Sequence, residues 1–251
     1  NKNEVTELYN GDPIRSGFAS WAREGQPVGV FWGYVTDGLF RSQEEVEAHA
    51  FQNAGTAPGD IRFKDLDDNG VINAADQAVI GNPWPDFTGG LTNTLSYRGF
   101  DLTAFLQFSY GNDIFNANRI YWDAYGSYWD NNTTRALDRW TPDNPDATEP
   151  RATWYDLNGN TRISDRFIED GSYLRLKNVV LGYTVPRATA NRFGFRSLRV
   201  YVQGQNLLTF TNYSGYDPEV NYAGNTSIVR GTDFYTLPQA RALTAGFNIG
   251  L

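Results

Sequence analysis

The sequence predicts an all-β fold: strands of a large antiparallel barrel that crosses a membrane, separated by long loops. Three observations carry that expectation. Aromatic residues make up 15% of the chain, with 7 Trp, 15 Tyr and 16 Phe, yet the mean hydropathy is negative, which is unusual for a soluble domain with an ordinary core. A membrane barrel has room for such rings in girdles at both lipid–water interfaces, while the lumen side of each strand stays polar. From Gly89 onward, segments of roughly ten residues alternate apolar with polar between turn signals, as tilted strands crossing a bilayer do. Finally, no run approaches the about 20 apolar residues that a membrane-spanning helix needs, which excludes a helical membrane protein.

The first strand signal is Leu91 to Tyr97, with Thr92, Thr94 and Ser96 on its polar face and Asn93 as an exception on the apolar one. Arg98-Gly99 reads as a tight hairpin turn. The next run puts Leu102, Ala104, Leu106, Phe108 and Tyr110 on one face. Tyr173 to Val185 and Leu198 to Leu208 repeat the theme, with Arg175, Lys177, Arg199, Gln203 and Gln205 toward the lumen. Leu174 and Leu176 share one parity but Val179, Leu181, Tyr183 and Val185 share the other, so a β-bulge near Asn178 is needed to keep the apolar side outward. The last strand carries Leu243, Ala245, Phe247, Ile249 and Leu251 on its apolar side. Long polar loops, chiefly 41–88, 111–170 and 211–236, exceed the usual connections of compact domains, and their alternation with short turns is the pattern of an outer-membrane barrel.

Composition also excludes chemistry. With no Cys and a single His49, thiol nucleophiles, disulfides and Cys-based zinc sites are ruled out, and a Ser-His-Asp arrangement would have to use His49. That residue follows Ser42-Gln43-Glu44-Glu45-Val46-Glu47-Ala48, which reads as a capping box opening a short acidic helix. The net charge of −8 and the lack of a basic stripe argue against a nucleic-acid partner. No carboxylate pair stands out for glycoside hydrolysis. An enzyme is not expected. The chain opens with Asn1-Lys2-Asn3 and contains no Met, so it reads as a processed chain or a fragment.

The sharpest local motif is Asp65-Leu66-Asp67-Asp68-Asn69-Gly70-Val71-Ile72-Asn73-Ala74-Ala75-Asp76, which fits the D-x-[DN]-x-[DN]-G calcium-loop template over residues 65–76. Asp65, Asp67 and Asn69 supply side-chain oxygens, Val71 its carbonyl, and Asp76 the closing carboxylate, a donor set suited to a hard cation. Asp76 stands where a full EF-hand has Glu, so bidentate ligation is less assured. A structural calcium ion is expected, and an acidic turn without metal is the alternative. Asp156-Leu157-Asn158-Gly159-Asn160 is a partial echo. Tyr121, Trp122, Tyr125, Tyr128 and Trp129 are candidates for stacking on substrate at the barrel mouth, against the plainer reading as interfacial or loop-packing rings.

Several stretches together resemble the SusC/RagA branch of TonB-dependent transporters. They are Gly81-Asn82-Pro83-Trp84-Pro85-Asp86-Phe87, Phe100-Asp101-Leu102, Tyr173 to Tyr183 followed by Pro186, Gln205-Asn206-Leu207-Leu208-Thr209 and Tyr213-Ser214-Gly215-Tyr216-Asp217-Pro218-Glu219, with Glu24 to Gly29 and Gly33 to Phe40 upstream. The resemblance implies a plugged barrel of about 22 strands, in the outer membrane of a Gram-negative cell. This chain, residues 1–251, would be its C-terminal part, with the plug domain and N-terminal strands lying outside it. It further implies import of oligosaccharides or peptides, a SusD-like surface lipoprotein as lid, contact with outer-membrane lipid, and drive from TonB–ExbB–ExbD through the region absent here. The competing reading is a soluble calcium-dependent carbohydrate-binding β module.

Overall fold

The computed structural model describes residues 2–126, 131–224, 226 and 228–251. In chain order its strands are β1 (Ile14–Ser16), β2 (Ser20–Ala22), β3 (Val30–Tyr34), β4 (Thr36–Leu39), β5 (Ile61–Phe63), β6 (Gln77–Gly81), β7 (Phe87–Tyr97), β8 (Phe100–Tyr110), β9 (Asp113–Asn116), β10 (Ile168–Asp170), β11 (Tyr173–Thr184), β12 (Ser197–Thr211), β13 (Thr232–Asp233) and β14 (Ala242–Gly250). Short helices α1 (Gln43–Ala48), α2 (Asn118–Trp122) and α3 (Arg187–Arg192) sit in the connections.

The framework is an antiparallel five-stranded sheet in the order β14-β12-β11-β8-β7. Its strands hold 11, 11, 12, 15 and 9 residues from β7 to β14, at or above the about 9–11 that cross a bilayer. The hairpin between β7 and β8 turns on Arg98 and Gly99, with φ of 46° and 89°, the doubly positive geometry that suits a two-residue connection to twisted strands. The Gly99 carbonyl accepts from Thr184 N at 2.8 Å. Both short connections, at residues 98–99 and 185–196, therefore lie at the same end of the sheet, and the long loops at the other.

The expected irregularity is present. Between Leu176 and Asn178 the register shifts against both neighbours: Lys177 is the extra residue relative to β8, and Asn206-Leu207 together oppose Lys177 on β12. The shift brings Leu174, Leu176, Val179, Leu181 and Tyr183 onto one face. There they pair with Phe108, Leu106, Ala104, Leu102 and Phe100.

That face is bare. None of the buried apolar residues lies in the five long strands, whereas Leu95, Val202, Phe210, Leu243 and Phe247 are exposed. A soluble module would cover such a surface. In lipid it is already solvated, and the sheet is a sector of a large transmembrane barrel, open along β7 and β14.

The buried core lies in the loops. The sequence reads them simply as long and polar, but they fold together with the first forty residues into small sheets. These are β1-β2-β3-β6, β4-β5 and β10-β9-β13, the last with β13 parallel to β9. Phe31, Phe115 and Phe167, all fully buried, come from three separate segments and pack with Ala19, Ala117 and Ile120. A second cluster of Leu39, Ile61, Phe63 and Ile72 lies beside the acidic loop. Helix α1 forms, with Ser42 Oγ accepting from Glu45 N at 3.3 Å, but the expected capping box is only half made: Glu45 Oε2 accepts from Arg41 N at 2.8 Å.

Adjacent residues of β14 test the two faces. Phe247 pairs with Val200 on the apolar side, and Asn248 with Arg199 on the polar side. An Arg on the lipid face costs about 2–4 kcal/mol at the midplane and about 0–1 near the interface. Phe247→Arg is therefore expected to lower the amount of heat-modifiable, membrane-inserted receptor more than Asn248→Arg does. Equal losses would overturn the facial assignment.

Candidate functional site

The acidic loop is drawn tight by its own backbone. Gly70, at φ 80°, lets the chain turn so that Gly70 N donates to Asp65 Oδ2 at 2.8 Å and Asn69 N donates to Asp65 Oδ1 at 3.2 Å. Asp76 is fully buried; its Oδ1 accepts from Leu66 N at 2.8 Å and its Oδ2 from Asn73 N at 2.7 Å, closing the loop. The carboxylates of Asp65, Asp67 and Asp76 each bring an oxygen within 4.8 Å of the others. Asn69 Oδ1 instead accepts from Val71 N at 2.8 Å, and the Val71 carbonyl accepts from Asn73 Nδ2 at 3.0 Å. The three carboxylates among the five expected ligands thus converge, while Asn69 Oδ1 and the Val71 carbonyl each accept one hydrogen bond within the turn and keep a second lone pair. Desolvation pushes the Asp65 carboxyl up, but the donors from Gly70 and Asn69 outweigh it and hold the group below its ordinary value. Their stabilisation is present above the unfolded-state pKa of Asp65 and is lost as pH falls through the lower folded value.

The mouth aromatics divide. Tyr125 is buried and its hydroxyl donates to Glu149 Oε2 at 2.7 Å; burial first, then Glu149, pushes the phenol far up. With ring and hydroxyl both committed, it is a packing residue and not a stacking platform, which corrects the sequence reading. Tyr121 is half-buried, its ring centroid 5.7 Å from that of Phe234. Trp122 is also half-buried and meets Tyr235 edge-on at 5.9 Å. Tyr128 and Trp129 lie outside the described residues.

The lumen wall carries what sequence reasoning placed but did not pair. Arg199 Nε donates to Asp101 Oδ1 at 3.0 Å across β11. Gly182 makes that possible: a Cβ there would stand 2.3 Å from Arg199 Nη2 and 2.6 Å from Asp101 Oδ1. Higher on the wall, Arg175 is 1% exposed. Its Nη1 lies 2.6 Å from Glu219 Oε2, and Nη2 donates to Asp217. Lys177 Nζ reaches the same Glu219 oxygen at 2.9 Å. Burial pushes the Asp217 carboxyl up, but Arg175 and the backbone N–H groups of Gln239 and Glu219 hold it below the ordinary carboxylate range. Asp217 and Glu219 belong to a stretch already noted for its resemblance, yet only the fold shows that they bend inward to meet two basic strand residues.

No family model matches the chain. TonB-dependent receptor P3 of Formosa agariphila is 38% identical over 264 residues, taking in 99% of this chain and 26% of the relative. TonB-dependent receptor SusC of Bacteroides thetaiotaomicron is 26% identical over 257 residues, covering 99% of this chain and 23% of that one. The structure of the RagAB peptide transporter superposes with a TM-score of 0.77 at 22% identity, over 98% of this chain and 25% of that one.

The chain belongs to the SusC/RagA family of TonB-dependent receptors.

It spans about a quarter of the length of the relatives it matches. The barrel sector, the short turns at one end and the folded loops at the other are the fold of that family. The relatives are receptors and not enzymes.

Removing one partner of a buried pair strands the other charge, at a cost of about 3–5 kcal/mol, against about 0–1 for an exposed pair. Arg175→Gln should therefore lower the melting temperature of the detergent-solubilised receptor clearly more than Lys177→Gln, whose ammonium is partly solvated. A reversed order in a thermal melt would show that the wall pairs carry no such weight.

Proposed function

We propose that this segment forms part of the barrel of an outer-membrane importer that takes up oligosaccharides or peptides beneath a SusD-like surface lipoprotein. TonB–ExbB–ExbD would supply the drive through parts of the receptor that lie outside this chain. The observation that carries the reading is the two-faced sheet in a relative of SusC. Its outer face is an uncovered apolar surface fit only for lipid, and its inner face is lined with Asp101, Arg199, Gln203, Arg175 and Lys177. A polar wall inside an apolar shell makes a conduit for hydrophilic cargo. The cargo moves without covalent change, so the tasks of this segment are to hold, orient and admit it.

Orientation follows from the same framework. Short connections belong on the periplasmic side and long loops outside. This puts residues 98–99 and 185–196 inside, with Asp65, Trp122 and the packed loops facing the medium. A single Cys at Asn132 should react with an impermeant maleimide on intact cells, and one at Arg98 only after the outer membrane is permeabilised. The opposite labelling pattern would invert the topology and remove the loops from contact with incoming cargo.

We also propose that residues 65–76 hold one calcium ion on Asp65, Asp67, Asn69, the Val71 carbonyl and Asp76, at about 2.3–2.6 Å. The support is the convergence of three carboxylates on the template spacing. Its role is to clip the loop beside Ile72 and Phe63. A ligand that binds only the folded state stabilises it by mass action. Calcium should therefore raise the melting temperature of chelator-stripped receptor, and Asp67→Asn, at an exposed carboxylate, should abolish that rise. Identical melts with calcium and with chelator would reduce the motif to an acidic turn.

A further inference from the structure

A cavity of about 350 Å³ lies where the lumen faces of β11 and β12 meet the loop that runs from β12 to β14. Its volume falls at the lower end of the roughly 300–1,000 Å³ typical of small-molecule sites. The strands contribute Arg175, Thr209, Thr211 and Asn206, and the loop contributes Tyr216, Asp217, Gln239 and Arg241.

The polar groups around it are unevenly spent. Asp217 is saturated: it accepts from Arg175 and from the backbone of Glu219 at 2.9 Å and Gln239 at 2.8 Å. Its charge is therefore neutralised from within the protein. Arg175 Nε is buried and makes no hydrogen bond. Asn206 sits at the bulge with φ 51° and gives its amide N–H to the Ala240 carbonyl at 2.9 Å, while its Oδ1 is buried without a partner. Arg241 lines the cavity, is exposed, and forms no ion pair with any described residue. Buried polar atoms without partners are uncommon in folded proteins and mark places that something else completes. The unspent capacity is one acceptor at Asn206, one N–H at Arg175 Nε and the guanidinium of Arg241, the rest of the Arg175 guanidinium being paired with Asp217 and Glu219. Flanking it are the flat apolar surfaces of Pro218, Pro238 and the Tyr216 ring, which is 82% exposed.

We propose that this cavity binds an acidic saccharide unit, its carboxylate on Arg241, a hydroxyl donating to Asn206 Oδ1, and one ring face against Tyr216 and the prolines. Guanidinium groups pair with carboxylates through parallel charge-assisted hydrogen bonds. A sugar ring offers hydroxyl donors along one edge and C–H groups on a face, which matches the division of the walls better than a peptide backbone does. The site rests on the importer reading and adds to it a charge preference for the cargo.

The test is calorimetric titration of the detergent-solubilised full-length receptor with digalacturonate, with the neutral disaccharide digalactose, and with alanyl-glutamate. Digalacturonate should bind at least about tenfold more tightly than digalactose, the scale of one lost charge-assisted bond. Arg241→Gln should weaken digalacturonate by about the same factor and leave digalactose unchanged, and Arg241→Lys should retain part of the preference. The inference is overturned by no binding of digalacturonate, by equal affinity for the neutral sugar, or by indifference to Arg241→Gln. Tighter binding of alanyl-glutamate would assign the cavity to peptides instead. Outer-membrane insertion of the same protein, followed by heat-modifiability, keeps the two readings apart. An inserted receptor without the predicted preference defeats only the cavity assignment, whereas a receptor that never reaches the outer membrane defeats the importer reading itself.

Discussion

Parity is the constraint on which the rest of this structure depends. In hydrocarbon a strand has no water to satisfy its backbone, so it must be paired along its length, and each side chain falls on one face or the other with a period of two. A slip of one residue would turn every Leu of β11 inward and every charge toward lipid. The doubled irregularity at Lys177 and Asn206-Leu207 prevents that slip. It absorbs one extra residue in β11 and a further one in β12, and the apolar faces of β8, β11, β12 and β14 stay continuous. Bulges also redirect the chain locally, and this one turns Asn206 toward the loop that returns to β14.

Above the sheet a different principle takes over. The loops have no periodic pattern because no flat interface imposes one, and their order comes from a few large rings that segments remote in sequence bury together. Phe31, Phe115 and Phe167 form the centre, and buried ion pairs fasten the periphery. Asp60, fully buried, meets Arg151 Nε at 2.6 Å, and Arg119 meets Asp123 at 2.7 Å. Such pairs are costly to break once desolvated, so they fix the loops in one arrangement over a rigid base.

How much of this was legible in the sequence follows from the range of the interactions. The hairpin at Arg98-Gly99, the bulge near Asn178 and the apolar face of β14 are local, and each left a signature within about ten residues. The pairing of Asp101 with Arg199, 98 positions apart, left none; the one hint was Gly182, whose missing side chain makes sense only when both partners are in place. Parity assigns Arg175 and Lys177 to the lumen, while Asp217 and Glu219 give no sign in the sequence of turning toward them. Tyr125 stays ambiguous in the sequence for a related reason. A tyrosine in an aromatic run looks the same whether its hydroxyl faces water or Glu149, and only the packing decides. In the acidic loop, spacing identified the three carboxylates that meet, but the Asx turns made by Asn69 and Asn73 lie below what a template resolves.

The lumen cavity is built half from strand and half from loop, and the two halves answer to different rules. Arg175, Thr209 and Thr211 stand on hydrogen-bonded backbone whose register is fixed by lipid outside, so a change there disturbs the barrel. Tyr216, Gln239 and Arg241 hang from the connection between β12 and β14, outside the paired strands. If the cavity serves as proposed, inheritance can act on the two halves separately: a lineage can exchange the loop while keeping the same wall, much as a lock is rekeyed without replacing the door.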